Sequence, residues 1–238
     1  MNLRHVIPAP LRLQYRLFKR NYHDYLNSNI TAFAKEKVAN IHFSHELTLA
    51  QPIMESTLFE NKIHNLAQGC ARIQNVVIQP NQILSFWKCV KKPSKSNNFR
   101  IGRNLINGKL SEDYGGGLCQ LSSILYHLSL IAGLEIIERH HHSFDIYQEH
   151  ERFTPLGADA TVVYAYKDFR LKNSFDFPIY FAFDIKENTL ICQLFSAEKI
   201  EKQDIVFIQT KQSDGVEVET KKTNSAIIAK SFYQKKEK

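Results

Sequence analysis

Glycine is sparse in this chain, with 9 in 238 residues, yet three stand together at Gly115, Gly116 and Gly117. Several other features are missing. No stretch approaches the roughly 18 apolar residues of a membrane-spanning helix. The opening residues, MNLRHVIPAPLRLQYRLFKRNY, hold no uninterrupted apolar segment and no small-residue cleavage site, so no export leader is read there. The four cysteines, Cys70, Cys89, Cys119 and Cys192, form no CxxC pair and no zinc-ligand spacing, and nothing in them asks for disulfides. The expectation from these absences is a reduced, soluble, cytoplasmic protein without metal or cofactor. GxxxxGK[ST] is absent, which argues against a phosphate loop. Helix-turn-helix, finger and ribonucleoprotein signatures are absent too, which argues against specific nucleic-acid binding. There is no internal repeat, and nothing indicates an oligomeric state.

What is present is a globular composition: 43% hydrophobic and 23% charged residues, too apolar for disorder by default. The net charge is +7, which favours anionic surroundings without naming one. Leu11, Tyr15, Phe18, Tyr22 and Leu26 recur at helical spacing over residues 10–26, with Arg12, Arg16, Lys19 and Arg20 on other faces. The expectation is a helix docked through its apolar stripe with the basic side in water. The alternative is a helix peripheral to an anionic membrane. A second helix fits 56–73, and short strands fit NVVIQP and QILSFWKCV. A hairpin is expected to turn at Asn107–Gly108, a dipeptide that accepts positive φ at both central positions. A third helix fits 118–132. From there to about 208 the pattern is β, in LEIIERHH, FDIYQE, ATVVYAY, DFRLKN, PIYFAFDI, LICQLFS and DIVFIQ. A final strand and a basic tail complete the chain. This order predicts an α+β fold: N-terminal helices, then a central helix packed on an antiparallel sheet. The divisions expected are a helical extension over 1–50, a main domain over 51–210, and a strand with tail over 211–238.

Leu118, Leu121, Leu125, Leu128 and Ala132 form the inner stripe of the third helix, which places Cys119 in its first turn. Unpaired N–H groups and the helix dipole stabilise a thiolate there. The glycines before it permit unusual φ values and close approach, and their N–H groups can hold an anion. The plain alternative is a packed cysteine after a turn. The segment GLEIIERHHHSFDIY then brings His140 and His142, two apart and on one strand face, with His141 pointing away. A thiolate nucleophile needs a base, and the base needs an orienting acceptor. The candidates are Cys119, then His140 or His142, then Asp159 in GADATVVYAY, an order used by transglutaminase-like folds. A metal site from Cys119, His140 and His142 is the weaker reading, because it lacks a recognisable motif.

The run GGGLCQLSSILYHLSLIAGLEIIERHHHS, followed by GADATVVYAYKDFRLKNS, resembles the VanW domain, and so does the upstream ILSFWKCVKKPSKSNNFRIGRNLINGKL. The resemblance covers about 75–185. The family's ERHPHS is ERHHHS here, with His141 in place of the proline. The resemblance implies a link to cell-wall and glycopeptide-resistance biology. Some exported members act as L,D-transpeptidases on peptidoglycan, which implies Cys119 as nucleophile. Two functions follow. One is a cysteine acyltransferase on peptidoglycan peptides or precursors, with backbone N–H groups of residues 115–119 holding the oxyanion. The other is a non-catalytic accessory protein that binds a wall precursor or an antibiotic.

Overall fold

The computed structural model describes residues 8–27, 32–39, 42–106, 109–145, 152–223 and 227–235. In chain order they form α1 (Ala9–Leu26), β1 (His45–Pro52), α2 (Phe59–Ile73), β2 (Ile83–Ser85), α3 (Phe86–Val90), β3 (Ile101–Ile106) and β4 (Lys109–Tyr114). Then come α4 (Leu118–Ala132), β5 (Glu135–Glu138), β6 (Arg170–Lys172), β7 (Ile179–Lys186), β8 (Thr189–Ser196), β9 (Ile205–Lys211), β10 (Gly215–Lys222) and β11 (Ile227–Gln234). Every pairing between these strands is antiparallel. They make three sheets, β1–β8–β7, β2–β6–β5 and β11–β10–β9, and the hairpin β3–β4. The fold is α+β, as the order of helical and alternating patterns predicts.

Helix α4 is the axis of the core. Its stripe of Leu118, Leu121, Leu125, Leu128 and Ala132 is buried, and so are Ile124, Tyr126 and Leu130 on its other sides. A helix apolar on all sides must be covered on all sides, and α2, β1, β8 and β5 pack around it. The sheets against it therefore recruit β1 and β2 from before the helix as well as strands from after it. Gly133, at φ +78°, ends the helix, and the Leu134 N–H bonds back to the Ser129 carbonyl at 3.0 Å.

Four segments depart from the sequence reading. In QILSFWKCV only Ile83–Ser85 is strand, and Phe86–Val90 turns helical. The Ser85 hydroxyl accepts the Lys88 N–H at 3.3 Å, and Asp168 accepts the Trp87 N–H at 3.0 Å, so two side chains cap a short helix where a strand would leave those donors free. ATVVYAY is not a strand: it turns at Tyr164–Tyr166 with Ala165 at φ +68°. Its backbone groups bond instead to helix side chains and to the His140 carbonyl, 2.7 Å from the Thr161 N–H. NVVIQP makes isolated bridges only. Residues 211–238 supply two paired strands, β10 and β11, not one. The expected turn at Asn107–Gly108 and most of FDIYQE lie outside the described residues.

Helix α1 forms, but it docks by the opposite face. Leu11, Tyr15, Phe18 and Tyr22 are 56%, 63%, 66% and 54% exposed. The inner face is Leu13, Leu17, Arg20 and Asp24, with Asp24 only 2% exposed. Asp24 takes Arg170 Nη1 at 2.6 Å and lies 3.4 Å from Lys88 Nζ. Arg20 takes Glu138 at 2.6 Å. The buried carboxylate holds the helix because Arg170 and Lys88 wait for it in the body of the protein, and helical spacing carries no trace of those partners.

Candidate active site

Two of the glycines before α4 have distinct tasks. Gly117 sits at φ +100°, a conformation L side chains rarely adopt, and starts the helix. Gly116 lets β3 pass: a Cβ there would stand 2.2 Å from the Gly102 carbonyl carbon. The turn delivers Cys119, half-buried, into the first turn of α4. Of the amides expected to hold an oxyanion, the Gly115 N–H already donates to the Arg100 carbonyl at 3.1 Å and the Leu118 N–H to the Gly115 carbonyl at 3.2 Å.

The thiol lies 3.7 Å from Thr161 Oγ1 and 3.8 Å from the Val162 carbonyl oxygen, and it lines the same cleft as His142, whose charge acts on it. His142 Nδ1 is 2.6 Å from Asp159 Oδ2. With Nδ1 bonded to the carboxylate, Nε2 is the nitrogen left for sulfur. The structure thus brings Cys119, His142 and Asp159 together, and it places His140 elsewhere. His140 Nε2 is 3.0 Å from Glu138 Oε1, on the side of the α1 ion pairs. The strand β5 ends at Glu138, so the two histidines no longer share a strand face. The Cys119, His140 and His142 trio does not converge, and no metal-holding group of His, Cys, Asp or Glu exists among the described residues.

The electrostatics of the three groups are coupled. Burial works against an imidazolium at His142, but hydrogen bonds and charge from Asp159 and Cys119 outweigh it and push its pKa up to about 10. Burial works against the Cys119 thiolate, but His142 and then Thr161 bring the thiol below its ordinary value. Asp159 is buried, yet His142, Arg139 and Tyr233 hold it well below the usual carboxylate range. All three shifts favour one state, thiolate beside imidazolium beside carboxylate. The other cysteines go the opposite way: burial raises Cys70 and Cys192, and pushes Cys89 up to about 11.

Three features of the site were not read from the sequence. Ser122 and Ser123, in LCQLSS, clamp the Asp159 segment to α4: Ser122 Oγ donates to the Ala160 carbonyl at 2.6 Å, and the Ala160 N–H donates to Ser123 Oγ at 3.0 Å. Serines inside a fully buried helix stripe were the available signal. Arg139, beside the histidines, donates to Asp159 Oδ1 at 3.0 Å and to the Asp159 carbonyl at 2.8 Å, with its guanidinium 4.8 Å over the Tyr126 ring. Tyr233 arrives from β11 and donates to Asp159 Oδ1. No local pattern announced it. A cleft of about 190 Å³ opens over the group, lined by Cys119, His142, Lys62, Arg103, Gln120 and Arg152 among others.

The family model described as VanW like protein matches residues 61–195. The chain is 31% identical over 141 residues to the uncharacterized protein YoaR of Bacillus subtilis, covering 59% of this chain and 45% of that protein. It is 30% identical over 137 residues to the vancomycin B-type resistance protein VanW of Enterococcus faecalis, covering 58% of this chain and 50% of that one. The chain therefore spans about half the length of the curated relatives it matches. No solved structure matches it. Since the model covers more than half of its residues, site included, the chain belongs to the VanW-like protein family.

Proposed function

We propose that this protein is a cysteine-dependent acyltransferase acting on peptides of the cell wall or their precursors. The observation that carries the reading is that Cys119, His142 and Asp159 line one cleft, with the His142 ring bonded to the Asp159 carboxylate and its charge lowering the thiol's pKa. A structural cysteine among leucines has no use for a buried imidazole held by a buried carboxylate. The wall-peptide part draws on the relative named for vancomycin resistance.

In the proposed reaction the Cys119 thiolate attacks a peptide carbonyl carbon. The C=O electron pair moves onto oxygen, facing the amides at the start of α4. Collapse breaks the C–N bond, and the proton on His142 passes to the departing amine. A thioester remains on Cys119. A second amine or water then attacks it, gives its proton to His142, and frees the thiolate. Asp159 keeps Nδ1 protonated and the ring aimed throughout.

Incubation with peptidoglycan stem peptides tests this. The expected result is a covalent acyl adduct on the peptide containing Cys119 by mass spectrometry, with turnover abolished in Cys119→Ala while the fold is kept. If stem peptides bind but no adduct or turnover is seen, and Cys119→Ala binds them equally, the protein is the non-catalytic accessory binder instead.

A further inference from the structure

The cleft has a second end of different chemistry. Lys62, on α2, lays its side chain across Gly117, so that a Cβ on that glycine would stand 2.8 Å from Lys62 Cγ. Gly117 stands two positions before Cys119, and Lys62 lines the same cleft as both. Its Nζ reaches the Met54 carbonyl at 3.4 Å, a weak contact for an ammonium group. Arg103, on β3, lines the same cleft. Burial first, and the Arg103 charge second, push the Lys62 pKa down to about 8, so the two cations feel each other. Of the other charges in the cleft, Arg152 is matched with Asp145, and Asp159 with His142 and Arg139. Glu55 lines the cleft and Glu112 faces Arg103 in the hairpin register, yet neither forms an ion pair with Lys62 or Arg103 among the described residues. A further polar group there is unmatched. Gln120, 2% exposed, donates from Nε2 to the Pro52 carbonyl at 2.8 Å, while its buried Oε1 has no partner.

We propose that Lys62 and Arg103 form an anion subsite that binds a free carboxylate of the peptide substrate beside the carbonyl attacked by Cys119. The proposal rests on the acyl-transfer reading above and narrows its substrate to peptides carrying such a carboxylate. Two converging cations without a counter-ion repel each other, and a carboxylate between them removes that repulsion while gaining charge-assisted hydrogen bonds. A neutral amide gains neither. Gln120 Oε1 is the acceptor for an N–H of the same ligand.

Alkylation of the folded chain tests the subsite without knowledge of the substrate. Iodoacetate and iodoacetamide deliver the same reactive carbon with and without a carboxylate. The expected result is a rate ratio at Cys119 in favour of iodoacetate by about tenfold, saturable in reagent, which corresponds to about 1.4 kcal/mol of selective binding. The ratio falls about tenfold in Lys62→Met and in Arg103→Met, and recovers in Lys62→Arg. A ratio that favours iodoacetamide in the wild type, or one that survives the double substitution, overturns the subsite. Absence of labelling by either reagent overturns the acyl-transfer reading instead. The subsite is then read in Cys119→Ser by nuclear magnetic resonance titration with N-acetylglycine against N-acetylglycinamide. Binding of the acid alone, lost in Lys62→Met, sustains it, and equal binding of both sinks it. N-acetylaspartic acid amide, with only a side-chain carboxylate, distinguishes that source from a chain terminus.

A separate observation concerns α1. Tyr25 and Leu26 extend its outward stripe at 68% and 60% exposed, so six large apolar side chains stand in solvent on one face. The helix has one acid, Asp24, and it is buried on the opposite side. Exposed Lys19 and Arg12 border the stripe. The face is thus apolar, tyrosine-rich and free of negative charge, and we infer that it seats in the headgroup layer of an anionic bilayer. No helix among the described residues is long and apolar enough to cross one. Sedimentation with phosphatidylglycerol and phosphatidylcholine vesicles tests this with the full chain. Binding to the anionic vesicles alone, weakened by salt and lost in Tyr15→Ser/Phe18→Ser, is expected. No sedimentation with either lipid overturns it, as does a dimer in solution that the same double substitution dissociates, for then a second copy covers the face.

Discussion

A single carboxylate oxygen, Asp159 Oδ2, holds His142 twice: it accepts from the ring at Nδ1, 2.6 Å away, and from the backbone N–H at 2.8 Å. The main-chain bond fixes where the residue sits, and the ring bond fixes how the imidazole is turned. The other oxygen, Oδ1, is taken by Arg139 and Tyr233. The carboxylate is therefore saturated, cannot swing, and presents one face of His142 to Cys119.

Thiol labelling should follow from that arrangement. An ordinary thiol titrates near pH ~8.5, whereas His142 holds Cys119 lower and burial holds the other three cysteines higher. Iodoacetamide at pH 7 is expected to modify Cys119 at least about tenfold faster than any other cysteine. The profile should lie at lower pH than that of an ordinary thiol, and His142→Ala should move it to higher pH. Comparable labelling of Cys89 in the folded protein would contradict the assignment.

Acid should destabilise the protein through two carboxylates. Asp159 and Glu138 titrate lower in the folded chain than in the unfolded one, Glu138 at about 2. Their stabilisation is fully present above the unfolded value near pH ~4, and it is lost as pH falls through the folded values. Urea midpoints are expected to drop between pH ~4.5 and ~2 and to drop less steeply in Asp159→Asn. At pH 7 the same variant should lose about 100-fold or more in turnover, since the tautomer of His142 is no longer held.

Removing Arg139 should be far more damaging than its distance from the sulfur suggests. Arg139→Met leaves Asp159 buried with a cation missing, and breaking such a pair costs about 3–5 kcal/mol. Chemical denaturation should register that loss. A change below about 1 kcal/mol would mean that Tyr233 and His142 suffice for the carboxylate.

Tyr233→Phe keeps the ring and removes one hydrogen bond to a charged oxygen, together with the acceptor for the Gly157 N–H at 3.1 Å. The expected loss is about 1.5–3 kcal/mol in stability. The Cys119 labelling profile should shift only slightly, because both His142 bonds go to the other oxygen. A profile displaced as far as that of His142→Ala would place Tyr233 in control of the imidazole.

For α1, Asp24→Ala is expected to cost about 3 kcal/mol, because Arg170 and Lys88 lose their shared partner. Limited proteolysis should then release the helix while the rest of the chain stays protected. Unchanged proteolysis would show that Leu13 and Leu17 hold the helix unaided.

Much of this was readable along the chain. Helix α4 announced itself by a leucine stripe between glycines, and Gly117 and Gly133 do bound it. The paired strands β7 and β8 announced themselves by alternation, and the cysteine by its place after three glycines. These are consequences of local geometry: the 3.6 and 2 residue periods, and the φ freedom of glycine, act within a few residues. The sequence also put forward two candidate histidines and Asp159 as a candidate acceptor.

The choice between the histidines belonged to the tertiary structure. His140 and His142 are chemically equal in ERHHHS, and the one aimed at Cys119 is the one whose ring meets Asp159, 17 residues later. Tyr233 reaches the same carboxylate across 74 residues of chain, and Arg170 reaches Asp24 across 146. The face of α1 was misread for that reason: its apolar stripe is the stronger local pattern, but a buried carboxylate with two waiting cations outweighs it. Periodicity records which side of an element is apolar. Which side is inside is decided by the partners that folding brings to it, and those lie far away in sequence.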